Sequence, residues 1–311
     1  MTMIDDIIVL CGPTATGKSD VANSLAAKIN GEVVSADSMQ IYRGMDIGTG
    51  KIPINERSVK HWGLDIVNPS EAFSAALFQH YSRDAFDKIL SEDKTPILCG
   101  GTGFYIRAAI DDYDFPKGEQ VDNPLREKYQ KIADEKGAHE LWKILQEKDP
   151  ESANLIHENN VVRVIRALEI FEEGKSYASQ VENLQKLPQK YNAKFFGLKV
   201  DPEILRERID ARVDKMLEAG LVDEVKGLLN NGLREALTSA AAIGYKEIVE
   251  YLDGNVTLDE AALQIKTATR QYAKRQRTWF NKDKRINWID YNDADLDSAV
   301  AQIIECYDKD Q

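Results

Sequence analysis

The chain has 311 residues, 43% hydrophobic and 30% charged, a globular composition that excludes disorder over most of its length. That length suggests about two domains, or one with a large insertion, and a core that needs neither disulfides nor a structural metal. Forty basic against 52 acidic residues leave a net charge of −12, which taken alone argues against a nucleic-acid partner. The longest apolar run, Ile7 to Cys11, is far short of the ~20 residues that cross a membrane. Met1 to Asp6 has no basic segment and no long apolar segment, so no secretory leader is expected. Cys11, Cys99 and Cys306 are far apart and form no C-x-x-C pair, which fits a reducing cytosol.

Asp6 to Cys11 reads as a continuously apolar strand of the kind buried in parallel sheets. A glycine-rich turn follows, then a helix with Val21, Leu25, Ala26 and Ile29 as apolar positions, closed by Gly31 just past its end. Glu32 to Ala36 is a second strand. Phe73 to Leu90 reads as a helix with Leu77, Tyr81, Ala85 and Ile89 on one face. Thr95 to Cys99 is a third strand and runs into Gly100-Gly101-Thr102-Gly103. This alternation predicts an α/β fold with a parallel sheet flanked by helices. Residues from about 113 to 120 are loop-like, 123 to about 174 read as helical throughout, and 175–192 are polar. Lys194 to Val200 is a strand expected to rejoin the first sheet. The prediction is therefore a core of residues 1–114 and 194–311 carrying an all-helical insertion, 115–193. Helices follow at 202–218, 221–230, 243–252 and about 258–280, and Asn287 to Asp290 adds a short strand.

Gly12-Pro13-Thr14-Ala15-Thr16-Gly17-Lys18-Ser19 matches G-x-x-x-x-G-K-[ST] in full, after a strand and opening a helix. Glycines let backbone N–H groups curl around a phosphate, and the helix N-terminus adds the positive end of its dipole. Lys18 reaches the outer phosphate, and the Ser19 hydroxyl is placed to ligate Mg²⁺. The ligand is thus phosphorylated and Mg²⁺-associated, and the fold is of the P-loop NTPase-like kind. A kinase or ATPase needs a second carboxylate, usually at the end of another strand. The third strand ends Leu98-Cys99-Gly100-Gly101-Thr102 with no acid, which weakens the ATP-binding alternative. The second strand leads into Asp37, at the sheet edge where ligands of open α/β folds bind, so Asp37 is a candidate Mg²⁺ ligand or general base, the alternative being a capping Asp with no chemical role.

Charge is not evenly spread. Arg270, Lys274, Arg275, Arg277, Lys282, Lys284 and Arg285 face a single acid, Asp283, within sixteen positions. On the long helix, Arg270, Lys274 and Arg277 fall on one face, and Ile265, Thr269, Tyr272, Gln276, Trp279 and Phe280 on another, with the aromatics expected in the core.

The Gly12–Ser19 loop, Asp37-Ser38-Met39-Gln40-Ile41-Tyr42-Arg43-Gly44-Met45-Asp46-Ile47-Gly48-Thr49-Gly50-Lys51 and Gly100-Gly101-Thr102-Gly103-Phe104-Tyr105 together resemble the tRNA dimethylallyltransferase family. The resemblance continues through Arg163–Glu169, Ile243–Glu247 and Thr269–Phe280, nearly the whole chain. It implies transfer of a dimethylallyl group from dimethylallyl diphosphate to N6 of the adenosine beside a tRNA anticodon, by a cytoplasmic enzyme expected as a monomer. The phosphate loop would hold the donor's diphosphate, and the basic helix would hold tRNA despite the acidic total.

The resemblance also implies roles. Asp37 would take the proton from N6, and Thr102 would contact the reacting nucleotide or the donor's bridging oxygen. Lys18, Ser19-bound Mg²⁺ and Arg212 would stabilise the leaving diphosphate. Asp37, Ser38, Met39 and Gln40, with Arg163, Arg166, Gly244, Tyr245 and Lys246, would meet the anticodon arm, as would Arg126 inside the insertion and Arg270, Lys274 and Arg277 on the basic helix. Two departures from the family pattern fall at Val162 and at Thr238–Ala242, where polar side chains are usual. Three alternatives share the same loop: a small-molecule kinase using ATP, an isopentenyltransferase acting on free adenylate, and a non-enzymatic RNA-binding module.

Overall fold

The computed structural model describes all residues except 1–5, 116–122, 185, 235, 237 and 309–311. The expectations for the first five residues, and for the loop beyond residue 115, lie outside the described residues. The chain forms two compact units, one of residues 1–110 and 189–311 and the other of residues 111–188.

The larger unit is built on six parallel strands: β1 (Asp6–Cys11), β2 (Gly31–Ser35), β3 (His61–Trp62), β4 (Thr95–Gly100), β5 (Asn192–Lys199) and β6 (Ile286–Asp290). Their order across the sheet is β3-β2-β4-β1-β5-β6. β1 lies between β4 and β5, pairing Ile8 with Ile97 on one side and with Lys194 on the other. Both of its faces are covered, which explains its unbroken apolar run. Ile8 and Leu10 enter one core with Val21, Leu25, Ile209 and Ile303, while Ile7 and Val9 enter a second with Phe78, Phe86, Ile106 and Phe280.

The helices of this unit before the second unit are α1 (Lys18–Lys28), α2 (Ala75–Ser91) and α3 (Gly103–Ile110). The second unit holds α4 (Pro124–Lys136), α5 (Ala138–Lys148), α6 (Pro150–Leu155), α7 (Val161–Glu172) and α8 (Tyr177–Leu184), packed around Tyr129, Leu141, Leu145, Val164 and Leu168. The larger unit resumes with α9 (Pro202–Glu218), α10 (Leu221–Leu229), α11 (Tyr245–Leu252), α12 (Leu258–Phe280) and α13 (Leu296–Asp308). A third core joins α10, α11 and the first half of α12 to Ile41, Tyr42 and Met45. No helix among the described residues is long and apolar enough to cross a membrane.

Several local expectations are corrected. Gly31 does not end α1: the helix stops at Lys28, Asn30 takes the positive φ of 54°, and Gly31 opens β2. Leu77 is 50% exposed, and α2 instead buries Phe78, Ser82, Ala85, Phe86 and Ile89. The polar stretch 175–192 contains α8, anchored where the Ser152 hydroxyl accepts the Ala178 N–H. Trp279 is 43% exposed, with its ring lying over Gly103, whereas Phe280 is buried in the core with Phe78 and Ile106. β3 has too few residues to stand out in the sequence, whereas α13 is absent from the predicted elements although Leu296, Ala299, Val300, Ile303 and Tyr307 follow helical spacing and pack into the core.

One close approach shapes the site. A Cβ on Gly100 would stand 2.2 Å from the Ala36 carbonyl oxygen. That carbonyl accepts the Thr102 N–H at 3.1 Å, and the Ala36 N–H donates to Cys99 O at 2.8 Å. Gly100→Ala should therefore force the two segments apart and cost about 1–3 kcal/mol, with the Ala36–Asp37 turn displaced. Urea unfolding checks this; an unchanged midpoint would show that the backbone absorbs the methyl.

Candidate active site

The phosphate loop joins the carboxyl end of β1 to α1, where the strand order reverses. Positive φ angles at Gly12 (141°), Ala15 (62°) and Gly17 (87°) curl the backbone, and Gly17 caps α1. Thr16 is buried and its hydroxyl donates to Pro13 O at 2.9 Å, which braces the curl from behind. The Lys18 ammonium donates to the same carbonyl.

The loop forms one wall of a cavity of about 240 Å³. Lys18, Ser19, Asp37, Gln40 and Arg212, all singled out in the sequence, line it together with Thr14, Ala15 and Gly17. Gly12, Pro13 and Thr16, expected with them, are buried within the loop and do not line the cavity. The rest of the wall comes from Asp20, Thr49–Pro53 and Glu56, from Cys99 and Gly100 at the end of β4 with Gly101 after it, and from Gln276.

Two cations meet in this cavity. The Lys18 ammonium is pushed down to about 8, chiefly by burial, with the nearby Arg212 guanidinium acting in the same direction and Asp37 partly offsetting them. Burial likewise lowers Arg212, which donates to the Thr49 carbonyl at 3.0 Å. Buried positive charge without a full complement of counter-charge is costly, and an anion entering the cavity would relieve that cost.

Asp37 follows β2 directly. Its Oδ1 accepts the Met39 N–H at 2.9 Å, which fixes the turn and leaves Oδ2 for other partners. The Thr102 hydroxyl accepts the Ser38 N–H at 3.1 Å, so the segments after β2 and β4 are joined beside Asp37. Cys99, at the end of β4, is raised to about 12 by burial and stays a thiol. Gln276, on α12, joins the site although nothing in the sequence assigns it there. Its carbonyl accepts the Thr14 N–H at 2.8 Å and its amide donates to Gly101 O at 2.9 Å, bridging the phosphate loop to the segment after β4.

For Mg²⁺, the available donors are hard oxygens: the Ser19 hydroxyl and the Asp37 and Asp20 carboxylates, all lining the cavity. Asp20 is raised by burial and by Glu56, a repulsion that a cation would relieve. No cluster of three or more His, Cys, Asp or Glu suited to a metal exists among the described residues. The donor set thus fits an ion that keeps most of its ligands from water and phosphate.

The other predicted residues lie elsewhere. Lys274 and Arg277 sit on α12 without an ion pair among the described residues, but Arg270, expected with them, is engaged by Asp210 of α9 through both carboxylate oxygens. Arg285 is likewise paired with Asp283. Gly244 precedes α11 at a φ of 96°, and Lys246 is exposed. Tyr245, expected on the path of a nucleobase, is fully buried and donates to Glu224 instead. In the second unit, Arg126 and Arg166 converge on Glu169, which is 3% exposed, at 2.8 and 3.1 Å, while Arg163 is exposed.

A family model described as IPP transferase matches residues 40–283, and one described as isopentenyl transferase matches residues 5–60. A tRNA dimethylallyltransferase of Carboxydothermus hydrogenoformans is 45% identical over 304 residues, 97% of each chain. This chain belongs to the tRNA dimethylallyltransferase family. A Bacillus anthracis member is 46% identical over 97% of this chain and 96% of its own. Among solved structures, the tRNA isopentenylpyrophosphate transferase of Bacillus halodurans superposes with a TM-score of 0.74 at 40% identity, covering 98% of this chain and 96% of its own. A eukaryotic dimethylallyltransferase acting on tRNA superposes with a TM-score of 0.80 at 32% identity, over 96% of this chain and 77% of that one. The family's P-loop fold is the six-stranded parallel sheet seen here.

Proposed function

We propose that the protein transfers a dimethylallyl group from dimethylallyl diphosphate to N6 of the adenosine 3′-adjacent to the anticodon of tRNA, releasing diphosphate. The observation that carries this reading is the pairing of two half-buried cations, Lys18 and Arg212, with a carboxylate, Asp37, around one cavity. The cations suit a diphosphate, and the carboxylate suits a proton on the acceptor.

The phosphate loop N–H groups, Lys18 and Arg212 bind the diphosphate. As the C–O bond breaks, negative charge grows on the leaving oxygen, so the same groups act more strongly on the transition state than on the bound donor. Ser19 and the neighbouring carboxylates would hold Mg²⁺, which when bound neutralises diphosphate charge. N6 is a weak nucleophile because its lone pair is delocalised into the ring. Asp37 accepts the N6 proton as the N–C bond forms, and Thr102, tied to Ser38, orients the acceptor. The adenosine must leave the anticodon-loop stack to reach such a cavity.

Lys274 and Arg277 would hold tRNA by its backbone, with Arg126, Arg163 and Arg166 as contacts from the second unit. Changing Lys274 and Arg277 together to Ala should weaken all substrate tRNAs to a similar degree and lower the log–log salt slope by about one to two. Use of the prenyl donor should hardly change. Filter binding across a salt series checks this, and an unchanged slope would show the face to be merely solvated. Because Arg270 is already ion-paired, Arg270→Ala should act mainly on stability. Incubation with labelled dimethylallyl diphosphate, Mg²⁺ and unmodified tRNA tests this reading: label on the tRNA adenosine is expected, and none would contradict it.

A further inference from the structure

One wall of the cavity is held in place by an acid far away in sequence. Glu224, on α10, accepts the backbone N–H groups of Asp46 at 3.0 Å and Ile47 at 2.7 Å through Oε2, and of Gly48 at 3.1 Å through Oε1. The Tyr245 hydroxyl donates to Oε1 at 2.6 Å. Three successive N–H groups turned toward one carboxylate form an anion-binding nest, here filled by the protein's own side chain. The loop also lies flat on the Tyr245 ring: a Cβ on Gly48 would come within 2.5 Å of it. Lys51 pins the far end, donating to Tyr42 O, Asp46 Oδ1 and Asp65 Oδ1.

What the loop then holds is the functional point. The Thr49 carbonyl accepts from Arg212 at 3.0 Å and from Gln40 at 3.3 Å. One N–H of the guanidinium is thereby committed, and the planar fork is fixed with its remaining donors available for phosphate oxygens.

We propose that Glu224 is a positioning residue for the donor site: by nesting residues 46–48 it sets the Thr49 carbonyl, and through it the Arg212 guanidinium, opposite Lys18. Glu224 does not line the cavity; its effect passes through Arg212. The inference rests on the reading of the cavity as a diphosphate site.

The test is a double-mutant cycle read by calorimetry with inorganic diphosphate and Mg²⁺, on the unsubstituted protein, Glu224→Gln, Arg212→Ala and the double variant. Gln keeps the shape but turns an amide donor toward backbone N–H groups. Glu224→Gln should weaken diphosphate by about tenfold. On the Arg212→Ala background it should add no more than about twofold. Tyr245→Phe, which removes one hydroxyl, should act in the same direction with a smaller effect. Melting temperatures are measured alongside, and if Glu224→Gln fails to fold, the cycle of Tyr245→Phe with Arg212→Ala decides. Fully multiplicative losses, unchanged diphosphate affinity in Glu224→Gln, or no diphosphate binding by the unsubstituted protein would each overturn the proposal. The readout is separate from prenyl transfer: coupled diphosphate binding without any transfer to tRNA would refute the proposed function and leave the role of Glu224 standing.

Discussion

Asp37→Ala should lower the single-turnover rate of prenyl transfer by about 10²-fold or more while tRNA binding changes little. The carboxylate sits at the end of β2, lines the cavity with Lys18 and Arg212, and has one oxygen engaged by the Met39 N–H. Ala removes both the base and the acceptor that fixes the turn. Asp37→Asn separates these roles, because the amide oxygen still accepts the Met39 N–H but the side chain cannot take a proton. Asn and Ala should therefore be similarly impaired. Rapid-quench measurement at saturating donor and tRNA decides this. A near-normal rate in Asp37→Asn would reduce Asp37 to a turn-forming residue and move proton acceptance elsewhere.

Lys18→Ala should cost about 10²–10³-fold in transfer, the usual loss when one preorganised donor to a developing anion is removed. The ammonium is half-buried beside a second cation and held well below its ordinary value, so its charge is stabilised chiefly when diphosphate is present. That arrangement gives the variant a second signature. The ligand-free protein should melt no lower than the unsubstituted one, because a desolvated charge has been removed. Stabilisation by added diphosphate should largely vanish. Thermal melts with and without diphosphate check both parts, and a diphosphate-induced shift as large as in the unsubstituted protein would remove Lys18 from the donor site.

These residues were legible because their signals are local. The phosphate loop is eight consecutive positions between a strand and a helix, and Asp37 is marked by its place after a strand. Arg212 has no such context: it lies within an ordinary charged helix, and only the family resemblance drew it in. Gln276 and Glu224 stayed hidden for the same physical reason. Gln276 bonds Thr14 across 262 residues, and Glu224 bonds the loop at 46–48 across 176–178. Glu224 stands in no local pattern that marks it, and the only signal at Gln276 is a polar side chain on the core-facing stripe of its helix. Tyr245 and Trp279 show the converse. Tyr245 is expected beside nucleic acid and its side chain is buried, while Trp279 is expected in the core and is exposed, because position within a block does not fix which way a ring turns. Arg270 fits its helical stripe but meets Asp210 from another helix. In the fold, β1 stood out by its apolar run, whereas the two residues of β3 are held by register with β2 at Val33 and Val34 rather than by any pattern of their own.

The most direct test is to incubate the protein with labelled dimethylallyl diphosphate, Mg²⁺ and unmodified tRNA, with ATP omitted, and to locate the label by nuclease digestion. The proposed function predicts label on N6 of the adenosine 3′-adjacent to the anticodon, with one diphosphate released per group transferred. Label carried instead by added adenosine monophosphate, or steady ATP hydrolysis on adding ATP while the prenyl donor is left untouched, would contradict it.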